Sequence, residues 1–116
     1  MNSYICSIDL KDDAKALAFA HALDVWMGLI QSRGVILDWR LLRRKLNLAD
    51  RPYRDFLLEV AVESLDQLDR AFHVSGQEDE AVNTAYRNVH TLIARADFAL
   101  YRPFPDPERV ERMGLL

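Results

Sequence analysis

The chain has 116 residues, half of them hydrophobic and 28% charged. At ~100 to 200 residues per domain this makes one domain with a real core, and it excludes a disordered tail or a collagen-like fibre. With 15 Lys and Arg against 18 Asp and Glu the formal charge is -3, so no overall positive field marks a nucleic-acid or anionic-membrane partner.

Ser3 to Leu10 sets Tyr4, Cys6, Ile8 and Leu10 on one side and Ser3, Ile5, Ser7 and Asp9 on the other, the alternation of a half-buried strand. Asp12 and Asp13 offer carboxylates to the free amides of a helix start. From Ala16, the apolar residues Phe19, Ala20, Leu23, Trp26, Met27 and Ile30 form one helical stripe, which Gly34 should stop. A second strand is expected over Val35 to Leu46, with Leu37, Trp39 and Leu41 opposed to Asp38, Arg40 and Arg44. Turn residues from Asn47 to Pro52 lead into a third, Tyr53 to Val62. Charge sets the register of this hairpin. Pairing Arg40 with Glu59 also brings Arg44 opposite Asp55 and Trp39 opposite Val60, whereas a two-residue slip faces Asp38 with Glu59.

Ser64 and Gln67 have the spacing of a capping box, in which each side chain satisfies the other's exposed amide. A short helix with a buried stripe of Leu65, Leu68 and Phe72 should run to about His73 and break at Gly76. A longer helix, Glu78 to Arg95, is expected to bury Val82, Ala85, Tyr86, Val89, Leu92 and Ile93. Phe98 to Phe104 reads as the last strand, kept short by Pro103, Pro105 and Pro107. The domain thus spans residues 1–104, and 105–116 form a polar tail with a helical turn from Glu108.

Strand, helix, strand, strand, helical pair, strand is the order of an α+β, ferredoxin-like sandwich: a four-stranded antiparallel sheet with all helices on one face. The other face mixes Ile5, Leu42, Leu57, Ala61 and Tyr101 with Ser7, Asp9, Asp38, Arg40, Arg44, Asp55 and Glu59. Two such faces packed under twofold symmetry would bury the apolar members and let arginines meet carboxylates, so a homodimer through the open sheet face is expected. The same element order over residues 3 to 104, with the segments Asp38-Trp39-Arg40-Leu41 and Tyr101-Arg102-Pro103-Phe104, resembles the dimeric α+β-barrel superfamily of small bacterial proteins. Its members include stress-responsive α/β-barrel proteins and antibiotic-biosynthesis monooxygenases. The resemblance implies a small-molecule cavity, either between helices and sheet or inside the barrel.

Arg40 with Glu59, beside Asp38, is the strongest polar constellation. An arginine there can hold a carboxylate ligand while a desolvated glutamate serves as base. The competing role is a cross-strand ion-pair ladder at the dimer interface, which is the commoner use of such a pattern. Tyr101 shares this face and joins Asp38, Arg40 and Glu59 as a ligand-binding candidate; Arg40, Glu59, Tyr101 and His90 are the catalytic candidates. Trp26, Trp39, Tyr53 and Tyr86 have the spacing of core aromatics. His21, His73 and His90 have no metal-ligand spacing, and no metal or cofactor is expected. Arg40, Arg43, Arg44 and Lys45 are divided between two faces, and the glycines are dispersed, so neither nucleic acid nor a phosphate loop is expected. Cys6 is the sole cysteine, no signal peptide or membrane-length apolar run is present, and the chain is placed in the cytoplasm. The sequence thus reads as a homodimer that binds a small molecule; the alternative is a cofactor-independent oxygenase or isomerase of a small aromatic substrate.

Overall fold

The computed structural model describes residues 1–46, 48–50, 52–76 and 79–105. The elements are β1 (Asn2–Leu10), α1 (Ala16–Ser32), β2 (Asp38–Arg43), β3 (Phe56–Val62), α2 (Leu65–Gly76), α3 (Glu80–His90) and β4 (Ile93–Tyr101). The strands form one antiparallel sheet in the order β2-β3-β1-β4, the α+β, ferredoxin-like arrangement expected from the element order. The expected helical turn from Glu108 lies outside the described residues.

Local chemistry sets the first half as anticipated. Asp12 accepts the Ala14 amide at 3.0 Å and opens a single 3-10 turn, Asp13–Lys15, that feeds α1. The helix ends in a Schellman motif: Gly34 donates to Gln31 and Val35 to Ile30, with Gly34 at φ 72°. A side chain at Gly34 would be strained by that angle alone. Phe19, Leu23, Met27 and Ile30 of α1 are buried against Cys6 and Ile8 of β1 and Phe56, Leu58 and Val60 of β3. The hairpin adopts the charge-selected register, with Arg40 opposite Glu59 and Trp39 opposite Val60. Arg44 donates its backbone amide to Asp55 O at 2.8 Å just beyond the last paired residues. Both strands are shorter than their alternation suggested, since Val35 and Ile36 are buried in the loop before β2 rather than in the sheet.

The second half departs further. α2 runs three residues beyond the expected His73 and ends at Gly76, the expected break, where glycine's low helix propensity costs little. Its buried face is Gln67, Leu68 and Ala71, while Leu65 and Phe72 are exposed. Gln67 takes an inner place because it is fully used. It receives the Glu63 amide at 2.6 Å, donates to Gly34 O at 3.1 Å, and gives its own amide to Ser64 Oγ at 3.2 Å. The capping box is therefore displaced by one residue, with Gln67 serving Glu63 instead of Ser64.

α3 is capped by Asp79, which accepts the amides of Ala81 and Val82 at 3.1 and 3.3 Å and pairs with Arg33 at the end of α1 at 2.5 Å. The helix buries Val82, Ala85 and Val89 but stops at His90. Leu92 and Ile93, expected to be helical, form the turn and the start of β4, and Tyr86 lies partly exposed. The reason is β1. Its second edge needs hydrogen-bond partners along its length, and residues 93–101 supply them from Leu10↔Ile93 to Ser3↔Tyr101. β4 thus begins five residues earlier than its alternation suggested and ends at Tyr101, before the prolines.

Candidate functional site

Alternation along each strand separates two surfaces. On the open face, the cross-strand rows read Asp38–Ala61–Ser3–Tyr101, then Arg40–Glu59–Ile5–Ala99, then Leu42–Leu57–Ser7–Asp97. Arg40 Nε donates to Glu59 at 2.5 Å and Arg44 to Asp55 at 2.7 Å. Arg54 bridges Asp9 at 2.9 Å and Asp97 at 2.6 Å. The Asp38 carboxylate is occupied by the Trp39 amide at 2.8 Å. Arg40, Glu59 and Asp38 are thus together at one edge. Tyr101 lies on the opposite edge strand, about 14 Å away across three strand spacings, and does not join them.

Burial raises the Asp9 carboxyl, but the Asp55 amide at 3.0 Å and the Arg54 guanidinium outweigh it and hold it below the ordinary aspartate value. A group depressed in the folded state stabilises the fold fully above its unfolded value, about 3.9, and loses that contribution as pH falls through the lower folded value. Asp9→Asn is expected to cost about 1 kcal/mol at pH 7, discounted for partial exposure. The deficit relative to wild type should vanish in urea titrations near pH 2. A pH-independent deficit would mean that the carboxylate charge is not what holds Arg54.

The helix side of the sheet carries a cavity of about 490 Å³ between β1, β4 and the three helices. It touches none of Asp38, Arg40, Glu59 or Tyr101, but it does include His90. None of the residues lining it is Asp, Glu, Lys or Arg. Its two acidic-capable groups near β1 stay neutral: burial pushes the Cys6 thiol up to about 12, and burial together with Cys6 pushes the Tyr4 phenol up to about 12. The interior is thus an uncharged, mostly carbon wall with a few polar groups, a composition suited to small ligands.

Three aromatic side chains organise the α1–α3 side of this space. The His90 ring stacks on Tyr86 at 3.7 Å and 20°, and Trp26 stands edge-on to both, 5.3 Å from each. His90 Nδ1 lies 2.8 Å from Tyr86 O, one helical turn earlier. The buried Trp26 Nε1 has no hydrogen-bond acceptor among the described residues. A second aromatic group flanks β4: Tyr4 stacks on Phe98 at 5.9 Å and meets Phe72 edge-on at 5.5 Å. Phe72 and Phe98 are 52% and 61% exposed, far more than core rings, and they line the same cavity. They mark its mouth.

Of the aromatics read as core from sequence spacing, Trp26 and Tyr86 line the cavity, Trp39 packs on the core from β2, and Tyr53 is exposed. Phe72, Phe98 and Asn83 were not singled out as site residues. Their only sequence signal is a large apolar or amide residue on an element whose neighbours already fill the core. His21 is exposed, and His73 faces Asp69 at 3.5 Å on the surface of α2. Among the described residues no three His, Cys, Asp or Glu converge on a metal position. Arg43 lies over the Phe56 ring at 5.3 Å, so the basic cluster is divided among separate partners.

Four antiparallel strands in this order, layered under helices with a cavity between, define a ferredoxin-like α+β protein. The chain belongs to the family of unknown function DUF6614, whose model matches residues 1–116. It is similar in structure to a dimeric ferredoxin-like protein of unknown function from Thermobifida fusca, with TM-score 0.61, 15% identity and coverage of 88% of this chain and 90% of that one. A candidate antibiotic biosynthesis monooxygenase from Nitrosomonas europaea matches with TM-score 0.63, 18% identity and coverage of 90% and 99%. A dabb-family protein with a ferredoxin-like fold from Mesorhizobium loti matches with TM-score 0.63, 12% identity and coverage of 89% and 96%. At these identities the likeness concerns the fold. No curated protein matches the sequence. Among the described residues no helix is long and apolar enough to cross a membrane.

Proposed function

We propose that this protein is a homodimer, packed through the open face of its sheet, that binds a neutral and largely apolar small molecule in the cavity between helices and sheet. The observation that carries this reading is a cavity of about 490 Å³ with no charged residue in its wall. Burying an ionised carboxylate or phosphate there without a counter-charge would cost several kcal/mol, so charged metabolites are disfavoured. The volume is about three times that of an engineered cavity that takes up benzene. The dimer is supported by the half-buried Ile5, Leu57 and Ala61 amid ion pairs already closed within one chain, and by the dimeric description of the Thermobifida fusca protein. In this reading Asp38, Arg40, Glu59 and Tyr101 serve the interface and His90 serves the cavity. A cytoplasmic location agrees with the free, buried Cys6.

The test uses the two tryptophans as reporters. In a Trp39→Phe variant Trp26, in the cavity wall, is the one tryptophan left, and excitation at the red edge of indole absorption reads it apart from the tyrosines. Neutral two-ring aromatics should change its emission with micromolar to sub-millimolar saturation, whereas the corresponding carboxylates should bind at least tenfold more weakly. Equal response to neutral and anionic compounds, or none to either, would remove the cavity reading. A second reading, a cofactor-independent oxygenase or isomerase of a small aromatic substrate, is favoured by the placement of His90 in the cavity wall. Turnover of a bound aromatic by the metal-free protein would distinguish it from binding alone.

A further inference from the structure

The cavity wall is apolar but its polar groups are not interchangeable. His90 Nδ1 is within hydrogen-bond distance of a carbonyl, Tyr86 O, at 2.8 Å, and a carbonyl can only accept. The proton of the neutral ring is therefore on Nδ1, and Nε2 is left with a lone pair. No other group among the described residues bonds this ring; its remaining neighbours are the faces and edges of Tyr86 and Trp26. In this tautomer Nε2 is the ring atom able to accept a donor from the cavity that His90 lines. Asn83 lies on the same face of α3 two turns earlier, about 10 Å along the helix axis, and also lines the cavity. Between them the walls are mostly ring faces and aliphatic carbon, with the Trp26 Nε1 donor and Ser75 as further polar groups.

We propose that the cavity selects uncharged phenols of two linked or fused rings, the phenolic hydroxyl donating to His90 Nε2 and the flat body lying between the α1–α3 aromatics and the Phe98 side. This rests on the cavity reading above and adds to it the ligand class and the residue that recognises it. His90 is a recognition residue here: the hydroxyl proton is shared with Nε2, and no covalent step is required. Tyr86 is a positioning residue, since its carbonyl fixes which ring nitrogen carries the proton and its ring holds the imidazole plane.

Three biphenyls of one shape separate the outcomes by isothermal titration calorimetry at pH 7: 4-phenylphenol, 4-methoxybiphenyl and biphenyl-4-carboxylate. The phenol is expected to bind about tenfold tighter than the ether, which has no proton to donate, and the carboxylate to bind weakest. His90→Phe, which keeps a ring against Tyr86 but has no acceptor, should bind phenol and ether alike at the ether's affinity. His90→Gln, which regains an acceptor oxygen, should restore part of the preference. In ¹⁵N spectra of wild type, His90 should show the Nδ1–H tautomer, and the phenol should shift Nε2 far more than Nδ1. Equal binding of phenol and ether by wild type overturns the proposal while leaving the cavity reading intact, as does a preference that persists in His90→Phe. Failure of all three compounds to bind removes both. The wild-type comparison decides the matter even where a variant folds poorly.

Discussion

Phe19→Ala is expected to destabilise the protein by about 3 to 5 kcal/mol, a loss comparable with the whole stability of many small domains. Phe19 is 0% exposed, and its ring lies 5.4 Å from that of Phe56, so it joins α1 to the middle of the sheet. Truncation removes the transfer free energy of the ring and leaves a void that α1, fixed at its C-terminal end by the Schellman motif and packed along the sheet, closes only in part. Urea denaturation followed by circular dichroism measures the loss directly. At about 4 to 8 °C per kcal/mol for a domain of this size, the melting temperature should fall by at least about 12 °C. A loss below about 1 kcal/mol would mean that the helix layer is not clamped on β3 at this point.

Leu57→Glu is expected to convert the proposed homodimer to a monomer. Leu57 sits on β3 between Leu42 and Ser7 in the middle of the open face, half-buried in the single chain. Twofold packing of that face would bury two copies of the new carboxylate, and Asp97 in the same cross-strand row and Glu59 two residues along the strand offer like charge, not compensation. At several kcal/mol for each uncompensated ion, the dimer should weaken at least about 1,000-fold. Sedimentation equilibrium at micromolar concentration should show dimer for wild type and for Leu17→Glu, whose site on α1 is 87% exposed and remote from the sheet, and monomer for Leu57→Glu. A monomeric wild type would overturn the proposed assembly. A dimer that survives Leu57→Glu would place the interface on another surface.

The ion-pair geometry favours an interface role for Arg40 over a ligand site. A site arginine needs donors left over for a ligand and walls that exclude water. Arg40 spends only Nε on Glu59 and keeps its terminal N–H donors, but its side chain is 67% exposed in the single chain, so no wall excludes water around it. Arg44 and Arg54 are likewise closed on carboxylates of neighbouring strands. A face whose arginines are so paired can meet a copy of itself with few unpaired charges, which suits register and orientation better than catalysis. In the proposed reading the ligand lies on the other side of the sheet, where His90 is the one candidate site residue that lines the cavity.

Much of this arrangement was legible before any coordinates. The alternation of Tyr4, Cys6, Ile8 and Leu10 assigned the two faces of β1, and the charges at positions 40, 44, 55 and 59 selected one hairpin register, because like charges opposed across strands are costly. These are short-range patterns, and the sheet preserves them. The end of α3 was not legible, since Val89, Leu92 and Ile93 satisfy a helical stripe as well as they satisfy the approach to a strand. Phe72 was assigned to a buried stripe because spacing cannot say whether anything lies above a helix face.

What the sequence determined by itself, then, is the order and kind of the elements, the faces of the strands and the pairing of their charges, because each is fixed by residues one to four apart or by a hairpin. Only the tertiary structure decided that β1 would recruit Ile93–Tyr101 as a strand, and that Trp26, Tyr86 and His90 would meet Tyr4, Phe72 and Phe98 around one uncharged space. Those residues come from α1, α2, α3, β1 and β4, and their meeting depends on how helices seat on a sheet, a property of packed layers that no local periodicity encodes.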